Sequence, residues 1–363
     1  MLVFYIIFFF LIIRFAVTLF NFISNPKLPS SSRKYTDLVS ILIPARNEEG
    51  RIESLLQSIS DQSYQNLEVL ILDDQSTDAT FNICTAYAQQ DDRFKVFKGN
   101  KLPEGWLGKN YACHQLGKLA EGKYFLFIDA DTQIKEGLIN SVIHRMKAGK
   151  LALLSLFTNQ IMGSIGERMV VPLMHFILLN LLPLRLVRIS KNPAFAAASG
   201  QFMLFDSALY HHHSWHAQVK DKVLEDIELI KLIKTYRYNA EALLANGYIS
   251  CRMYKSYEEG VNGFSKNLLA GFNKNIGGLI CYLMLVMIGP LFIASYLPVS
   301  LFMFAMTLII LSRIMISLLS GQHVLWNVLL HPFQMATLLF IAILSVQKYL
   351  SKTITWKGRA IKQ

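Results

Sequence analysis

Charge is missing from long stretches of this chain. Asn275 to Ser312 carries none, Val324 to Gln347 carries none, and Leu2 to Phe22 carries only Arg14. Cysteine is sparse. Cys84, Cys113, Cys251 and Cys281 are widely spaced and form no CxxC pair. That excludes a zinc ribbon and a disulfide framework, and it fits a reducing, cytoplasmic setting. No GxGxxG loop and no Walker loop follows any predicted strand, which excludes a dinucleotide fold and a P-loop ATPase. Acidic side chains are in deficit: 36 Lys and Arg face 25 Asp and Glu, a net charge of +11. The sequence has no nucleic-acid-binding motif. The basic excess is therefore read as a complement to anionic lipid headgroups and an anionic nucleotide, with nucleic acid excluded as a partner.

The uncharged stretches are what the chain has in place of an ordinary soluble composition; 53% of its residues are hydrophobic. A bilayer span needs about 20 apolar residues. The first run makes one span, expected as an anchor over 1–24 because it has no basic start and no small-residue cleavage site. The second is long enough for two spans. The third is long enough for one, but His331-Pro332 sits within it and predicts a kink or a re-entrant segment. Lys27, Arg33 and Lys34 place the following flank on the cytoplasmic side by the positive-inside rule. Two full C-terminal spans and one non-crossing segment would keep Lys348, Lys352, Lys357, Arg359 and Lys362 on that same side. The expected organisation is an anchor (1–24), a Pro/Ser linker (25–35), a catalytic domain (36–275), a membrane region (276–348) and a basic cytoplasmic tail (349–363). Within the domain, 162–190 encloses Val170–Leu184, which carries no charge but holds Pro172 and Pro183, with Arg185 and Arg188 after it. It is read as an interfacial segment or as a helix buried against the sheet.

The domain alternates strand and helix, which predicts a mostly parallel α/β sheet covered on both faces. Strands are expected at Leu38–Ile43, ended by Pro44, at Leu67–Leu72, Phe94–Phe97, Tyr124–Ile128, Leu151–Phe157, Ala198–Phe205, Ala240–Ala245 and Tyr248–Met253. Glu48 and Glu49 are expected in the first turn of a helix, and Gln75–Asp78 at the opening of another. Polar residues gather at strand C-termini: Arg46, Asn47 and Glu48 after the first, Asp73 and Asp74 after the second, Asp129 and Asp131 after Tyr124–Ile128. In an α/β sheet that end forms the ligand crevice. Asp129 and Asp131 point the same way on extended chain and can hold Mg²⁺, which takes one or two carboxylates plus substrate phosphates. An isolated Asp-x-Asp is equally a pair of solvated loop charges.

The order and spacing of these motifs resemble family 2 glycosyltransferases of the GT-A fold. The matching stretches are Ile43-Pro-Ala-Arg-Asn-Glu-Glu49, Asp73-Asp-Gln-Ser-Thr-Asp78 and Ile128-Asp-Ala-Asp131. The resemblance implies that Pro44, Ala45, Asn47, Glu48, Asp73 and Asp74 line the pocket of a UDP-sugar donor. It also implies that Asp129 and Asp131 hold Mg²⁺ or Mn²⁺ on the diphosphate. Gly105-Trp-Leu-Gly-Lys109 resembles a landmark of a lipid-directed branch of the family. Trp106 offers a flat face there, and Lys109 a point charge for phosphate. Glu225-Asp226 matches the family's third signature, which implies that Asp226 is the base of an inverting displacement. On residues alone, acids at a helix start are also ordinary dipole partners. Ser256-x-x-Glu-x-x-x-Gly-Phe-Ser-Lys-Asn267 stands where processive synthases carry Gln-x-x-Arg-Trp, which argues against polymer synthesis. Arg252 and Lys266 are candidates to meet diphosphate, or are surface charges.

His211, His212, His213 and His216 do not make a metal site, since consecutive histidines cannot all face one ion on a helix. Lipid-directed relatives carry Gly-Gly-His where this chain has Ser214-Trp-His216, so only the His matches. Trp356-Lys-Gly-Arg359 also resembles that branch. The expectation is a multi-pass membrane glycosyltransferase with a cytoplasmic catalytic domain. It would move a hexose, expected to be glucose from UDP-glucose, to a membrane lipid. The carotenoid branch, the diaponeurosporenoate glycosyltransferases, is the nearest resemblance. Polyprenyl phosphate, diacylglycerol and hopanoid are alternative acceptors, and a non-catalytic membrane scaffold is the alternative from another class.

Overall fold

A computed structural model of the chain describes residues 1–351 and the backbone of Thr355–Trp356 and Arg359–Ala360. The side chains of the Trp356–Arg359 motif and of the basic tail lie outside the described residues. The chain divides into two compact units. One is Lys27–Asn159 with Arg185–Arg252; the other is Met1–Pro26, Gln160–Leu184 and Met253 onward.

The first unit is built on a seven-stranded sheet. Its strands are β1 (Val39–Ala45), β2 (Leu67–Asp73), β3 (Phe94–Lys98), β4 (Tyr124–Ile128), β6 (Leu151–Phe157), β7 (Phe202–Asp206) and β8 (Asn239–Leu244). The spatial order is β3-β2-β1-β4-β7-β6-β8. The short β5 (Thr132–Ile134) pairs antiparallel with β9 (Ile249–Cys251) beside it. Strands β1 to β4 are mutually parallel, as the alternating strand–helix pattern predicts, while β7 runs antiparallel to both β4 and β6. β2, β4 and β6 are buried along their whole length, which is why they read as largely apolar runs without alternation; the polar residues inside them, Glu68 and Ser155, are hydrogen-bonded. β1 continues through Pro44 to Ala45, two residues further than expected. Pairing with β4 ends at Leu42, so Pro44 deprives no interior ladder of a donor.

Two helix starts differ from expectation. The helices begin at Ile52 and Thr80, so Glu48, Glu49 and Asp78 lie in the preceding loops. The cause is bonding between the loops. Asn47 N–H donates to Ser76 Oγ (3.0 Å), Thr77 N–H to Asn47 Oδ1 (2.8 Å), Glu48 N–H to Thr80 Oγ1 (2.7 Å) and Ala79 N–H to Glu49 Oε2 (2.9 Å). Polar side chains that could cap their own helices instead tie together the C-terminal ends of β1 and β2.

The second unit is helical. Four of its helices are long and apolar enough to cross a membrane: Leu2–Ser24, Ile276–Tyr296, Val299–Ser320 and His331–Leu350. The uncharged second run does split in two, at Leu297-Pro298. In the third run the expectation needs correcting: Pro332 falls in the first turn of a 20-residue helix rather than mid-span, where its missing N–H is harmless. Tyr257–Gly271 runs along that helix, with Leu269 N–H on Ser345 Oγ (3.1 Å) and Lys348 Nζ on Ser265 Oγ (2.6 Å). The 162–190 stretch breaks into short helices at Ile165–Val170, Pro172–Leu181 and Leu186–Ile189, none of a length that spans. Asn21 fixes the second of these to the first long helix. Its Nδ2 donates to Leu179 O (3.0 Å) and Leu182 O (2.8 Å), and its Oδ1 accepts from Leu184 N–H (2.8 Å).

In the sheet unit, Glu241 on β8 is 2% exposed and is held by Arg145, whose Nε and Nη2 lie 2.5 and 2.6 Å from its carboxylate oxygens. Arg145→Met should therefore destabilise this unit by about 3 kcal/mol, because it leaves a buried charge with only the half-exposed Arg188, at 4.0 Å. Arg145→Met/Glu241→Met should recover most of the loss. Denaturant titration of both variants checks this, and an equal loss in the two would refute the ion-pair account.

Candidate active site

β4 ends by delivering Asp129 and Asp131 into a site that four other segments complete. Asp129 N–H donates to Gln201 O (3.3 Å), which draws the approach to β7 alongside. Lys109, in the first turn of the helix Gly108–Leu119, places Nζ 2.7 Å from Asp129 Oδ1 and 3.4 Å from Glu225 Oε1. Glu225 and Asp226 open the helix Glu225–Thr235, where the dipole favours negative charge. Asp226 Oδ2 accepts from Gly200 N–H (2.9 Å), and its Oδ1 from Ile227 N–H (2.8 Å). A Cβ on Gly200 would lie 3.2 Å from both Lys109 Nζ and Glu225 Oε1. Glycine at 200 is thus a matter of room between charged groups.

Crowding these carboxylates perturbs them. Burial and the Glu225 carboxylate push Asp226 up to about 7, against the pull of its two backbone N–H donors and Lys109. Burial, Asp129 and Glu48 likewise push Asp131 up to about 7, opposed by Arg51 and by a hydrogen bond from the Cys251 thiol. For Lys109, burial works against the charge, yet Asp129 and Glu225 hold its pKa well above the ordinary value. Asp131 Oδ1 is buried with no hydrogen-bond partner. That orphaned oxygen, beside a second carboxylate and under mutual repulsion, is a donor set that fits a hard divalent cation completed by substrate phosphates. Among the described residues no cluster of three or more His, Cys, Asp or Glu forms a denser metal site.

The other expected residues divide into two groups. Ala45 and Asp73 are register partners, so the β1 and β2 ends lie side by side with Asp129 two strands from Asp73. Pro44, Asn47, Glu48 and Asp74 sit at those ends; Asp74 N–H donates to Ala45 O (2.8 Å), and Asp73 Oδ2 accepts from Ser76 N–H (3.2 Å). Asp73 Oδ1 is buried without a partner. Trp106 is half-buried and packs on the helix that follows it, tilted over His114 at 5.0 Å and edge-on to Tyr111 at 5.3 Å. Arg252 is exposed, just past Cys251 at the end of β9. Lys266 lies on the helix Tyr257–Gly271 of the helical unit.

Sequence reasoning missed three residues here. Asn110 Nδ2 donates to Val219 O (2.8 Å), Lys222 O (3.0 Å) and Lys220 O (3.3 Å), fixing the loop that leads into Glu225. Its place directly after Lys109 was the available signal. Cys251 and Gln201 bond each other at 3.0 Å beside Asp131 and Asp129, and nothing local in the sequence announces that pairing. The histidines also resolve. His213 stacks on Trp215 at 4.2 Å, and the buried His216 bonds Tyr210 Oη at 2.8 Å.

Residues 40–213 match the family described as Glycosyl transferase family 2. A 4,4'-diaponeurosporenoate glycosyltransferase of Staphylococcus haemolyticus is 26% identical over 278 residues, covering 74% of this chain and 71% of that protein. A beta-monoglucosyldiacylglycerol synthase of Nostoc is 36% identical over 107 residues, 29% of this chain and 22% of the relative. A UDP-Glc:alpha-D-GlcNAc-diphosphoundecaprenol beta-1,3-glucosyltransferase of Escherichia coli is 34% identical over 115 residues, 32% of this chain and 43% of the relative. The chain thus spans less than half the length of these last two. Among solved structures, a mannosyltransferase from Pyrobaculum calidifontis in complex with GDP-Man and Mn²⁺ superposes with a TM-score of 0.58 at 16% identity. The match covers 96% of this chain and 99% of that one. That likeness establishes the GT-A fold.

The raised pKa of Asp226 has a signed consequence. The folded chain holds this proton more tightly than the unfolded chain, where the group titrates near 3.8. Stability should therefore fall as pH rises from about 4 to about 7. Thermal midpoints measured without divalent cations should show this slope in the wild type and a shallower one in Asp226→Asn. Parallel slopes would mean that Asp226 is not perturbed.

Proposed function

We propose, from the premise that this chain is a glycosyltransferase of family 2, that it moves glucose from UDP-glucose to a membrane lipid with inversion at the sugar. The acceptor we infer is a carotenoid carboxylate. The observation that carries the reaction is the convergence of Lys109, Glu225 and Asp226 at Gly200, with Lys109 paired to Asp129 and Asp131 beside Asp129. What carries the acceptor is likeness along three quarters of the chain to a diaponeurosporenoate glycosyltransferase.

The chemistry asked of these residues is a single displacement. An acceptor oxygen forms a bond to the anomeric carbon as the bond from that carbon to the UDP oxygen breaks, on the opposite face. Asp129 and Asp131 would hold Mg²⁺ or Mn²⁺, whose charge would stabilise the departing diphosphate. Lys109 brings a fixed cation to the same place, as does Arg252 if the diphosphate reaches the end of β9; Lys266 is a further candidate. Pro44, Ala45, Asn47, Glu48, Asp73 and Asp74 form the floor for the nucleoside, with Trp106 at its margin. Asp226, held by two backbone N–H groups, faces the acceptor. With a hydroxyl acceptor it takes the proton, and a pKa of about 7 suits that exchange at neutral pH. A carboxylate acceptor arrives ionised, and Asp226 then positions it.

The four long apolar helices support a membrane location. We place the sheet unit on the cytoplasmic side, because Lys27, Arg33 and Lys34 follow the first helix. His331–Leu350 is bonded along its length to the amphipathic Tyr257–Gly271, which favours the pair lying at the membrane surface. A second reading, transfer to diacylglycerol or to a polyprenyl diphosphate sugar, is favoured by the higher local identity to the synthases of Nostoc and Escherichia coli.

Mass spectrometry of lipid extracts from cells with and without the chain tests this. A lipid should gain one hexose with the wild type and not with Asp226→Asn. Hexosylated diacylglycerol would replace the carotenoid reading, and no hexosylated lipid in a host holding all these acceptors would sink it. In a separate measurement, Asp129→Ala should weaken Mn²⁺-dependent UDP binding by about tenfold or more in calorimetry, as loss of a charged ligand does. Unchanged binding would remove Asp129 from the metal site.

A further inference from the structure

The helical unit buries two arginines with no acid to match them. Arg14, midway along Leu2–Ser24, is 7% exposed, and Arg313, on Val299–Ser320, is 1% exposed. Their guanidinium carbons lie 5.2 and 4.7 Å from the ring centre of Phe176, so the two cations share one ring. Arg14 also stands over Tyr282, at 6.0 Å. Arg313 Nε donates to Asn327 O (3.3 Å). Arg14 Nε, Arg313 Nη2, Tyr282 Oη and His331 Nδ1 are all buried with no hydrogen-bond partner.

The acids of this unit are Glu167, Glu258 and Glu259, and none is available. Glu167 accepts from Gly163 N–H and Ser164 N–H in a capping box, and Glu259 Oε2 accepts from Lys255 N–H. Glu258 caps the start of Tyr257–Gly271 by position. Burying two like charges between apolar helices without a counter-ion is strongly unfavourable, and one shared aromatic face does not offset it. Four unmet polar atoms point to an oxyanion. Guanidinium pairs bind carboxylate and phosphate through forked hydrogen bonds, and a tyrosine hydroxyl donates to the same group.

There is also room. A cavity of about 20 Å³ adjoins Arg14 and His331, enough for one water or one oxygen of an acid group. One wall is Leu285 and Val286, within a π-helical turn, Met284–Ile288, that interrupts Ile276–Tyr296. Such turns recur where a helix is widened for a ligand.

We propose that Arg14 and Arg313, with Tyr282 and His331, bind the acidic headgroup of a membrane lipid, a carboxylate or a phosphate ester, inside the helical unit. The site deepens the proposed function, since an acidic lipid is the acceptor class named there, and it rests on that reading only for its link to transfer.

The test is native mass spectrometry of the full detergent-purified chain with oleic acid, phosphatidic acid, their neutral counterparts methyl oleate and diacylglycerol, and inorganic phosphate. The wild type should retain one acidic lipid, with about a tenfold preference over its neutral counterpart. Arg14→Gln/Arg313→Gln should lose that preference while still binding UDP, and Arg14→Lys/Arg313→Lys should keep part of it. No preference in the wild type overturns the site, and this arm needs no variant to fold. Displacement of the lipid by excess inorganic phosphate overturns the lipid assignment in favour of a small-anion site. No sugar donor is present, so this binding is read independently of transfer; acidic-lipid binding here together with no hexosylated lipid in the cell extracts would leave the site standing and remove only the acceptor reading.

Discussion

A single amine holds the acidic centre of the sheet unit together. Asp129, Asp131, Glu225 and Asp226 converge where burial makes each negative charge expensive. Lys109, bridging Asp129 and Glu225, is the cation that lets them sit so close. Burial outweighs the available cations: with neighbouring carboxylates it pushes Asp226 to about 7 against Lys109, and Asp131 to about 7 against Arg51. The rest of the site serves that arrangement. Gly200 leaves room for it, Asn110 fixes the loop that brings Glu225 into range, and the N-terminus of Glu225–Thr235 adds its partial positive charge. A cluster with this residual negative charge is prepared for a further cation, and a diphosphate can arrive with one.

What the sequence disclosed follows from which physics is local. β2, β4 and β6 were legible because strands buried on both faces must be largely apolar. The place of Asp129 and Asp131 at the end of β4 was legible from the apolar run before them, while a role for the pair was suggested only by the order of the motifs after β1, β2 and β4, since an Asp-x-Asp alone is also a pair of loop charges. The helix starts were not. Ser76, Thr77 and Asp78 carry the signature of caps, but they bond Asn47 and Glu49, about 30 positions away, and only Asp78 also holds its own helix start, at Thr80 N–H. Local preference pointed to a cap, and a tertiary bond of equal strength took the same side chain.

Lys109 shows the limit in another way. The sequence announces a cation beside a tight turn and an anionic ligand for it. The structure places its amine on protein carboxylates, with Gly200 O also within 3.4 Å. Both follow from one requirement, since an amine positioned to neutralise Asp129 and Glu225 is also positioned where a diphosphate would need charge. Trp106 is the opposite case. A flat ring in a Gly-rich loop suggests a stacking platform, yet His114, from the helix that follows, lies tilted over the ring and Tyr111 meets it edge-on.

The helical unit obeys different rules, and there an absence is the informative signal. In the sheet unit charges taken from solvent are matched by opposite charges on the chain: buried Glu241 has Arg145, and half-buried Asp37 has Lys123 and Lys147. In the helical unit the three acids sit at helix starts, and the two buried arginines are met by aromatic rings (Phe176 between them, Phe10 and Tyr282 beside Arg14) and one carbonyl oxygen. A helix can position an arginine but cannot neutralise it. Apolar surroundings raise the penalty for leaving it unpaired and equally raise the reward for pairing it. In a unit so short of acids, the missing negative charge has to come from outside the chain, and the surrounding apolar helices favour an anion that carries its own hydrocarbon.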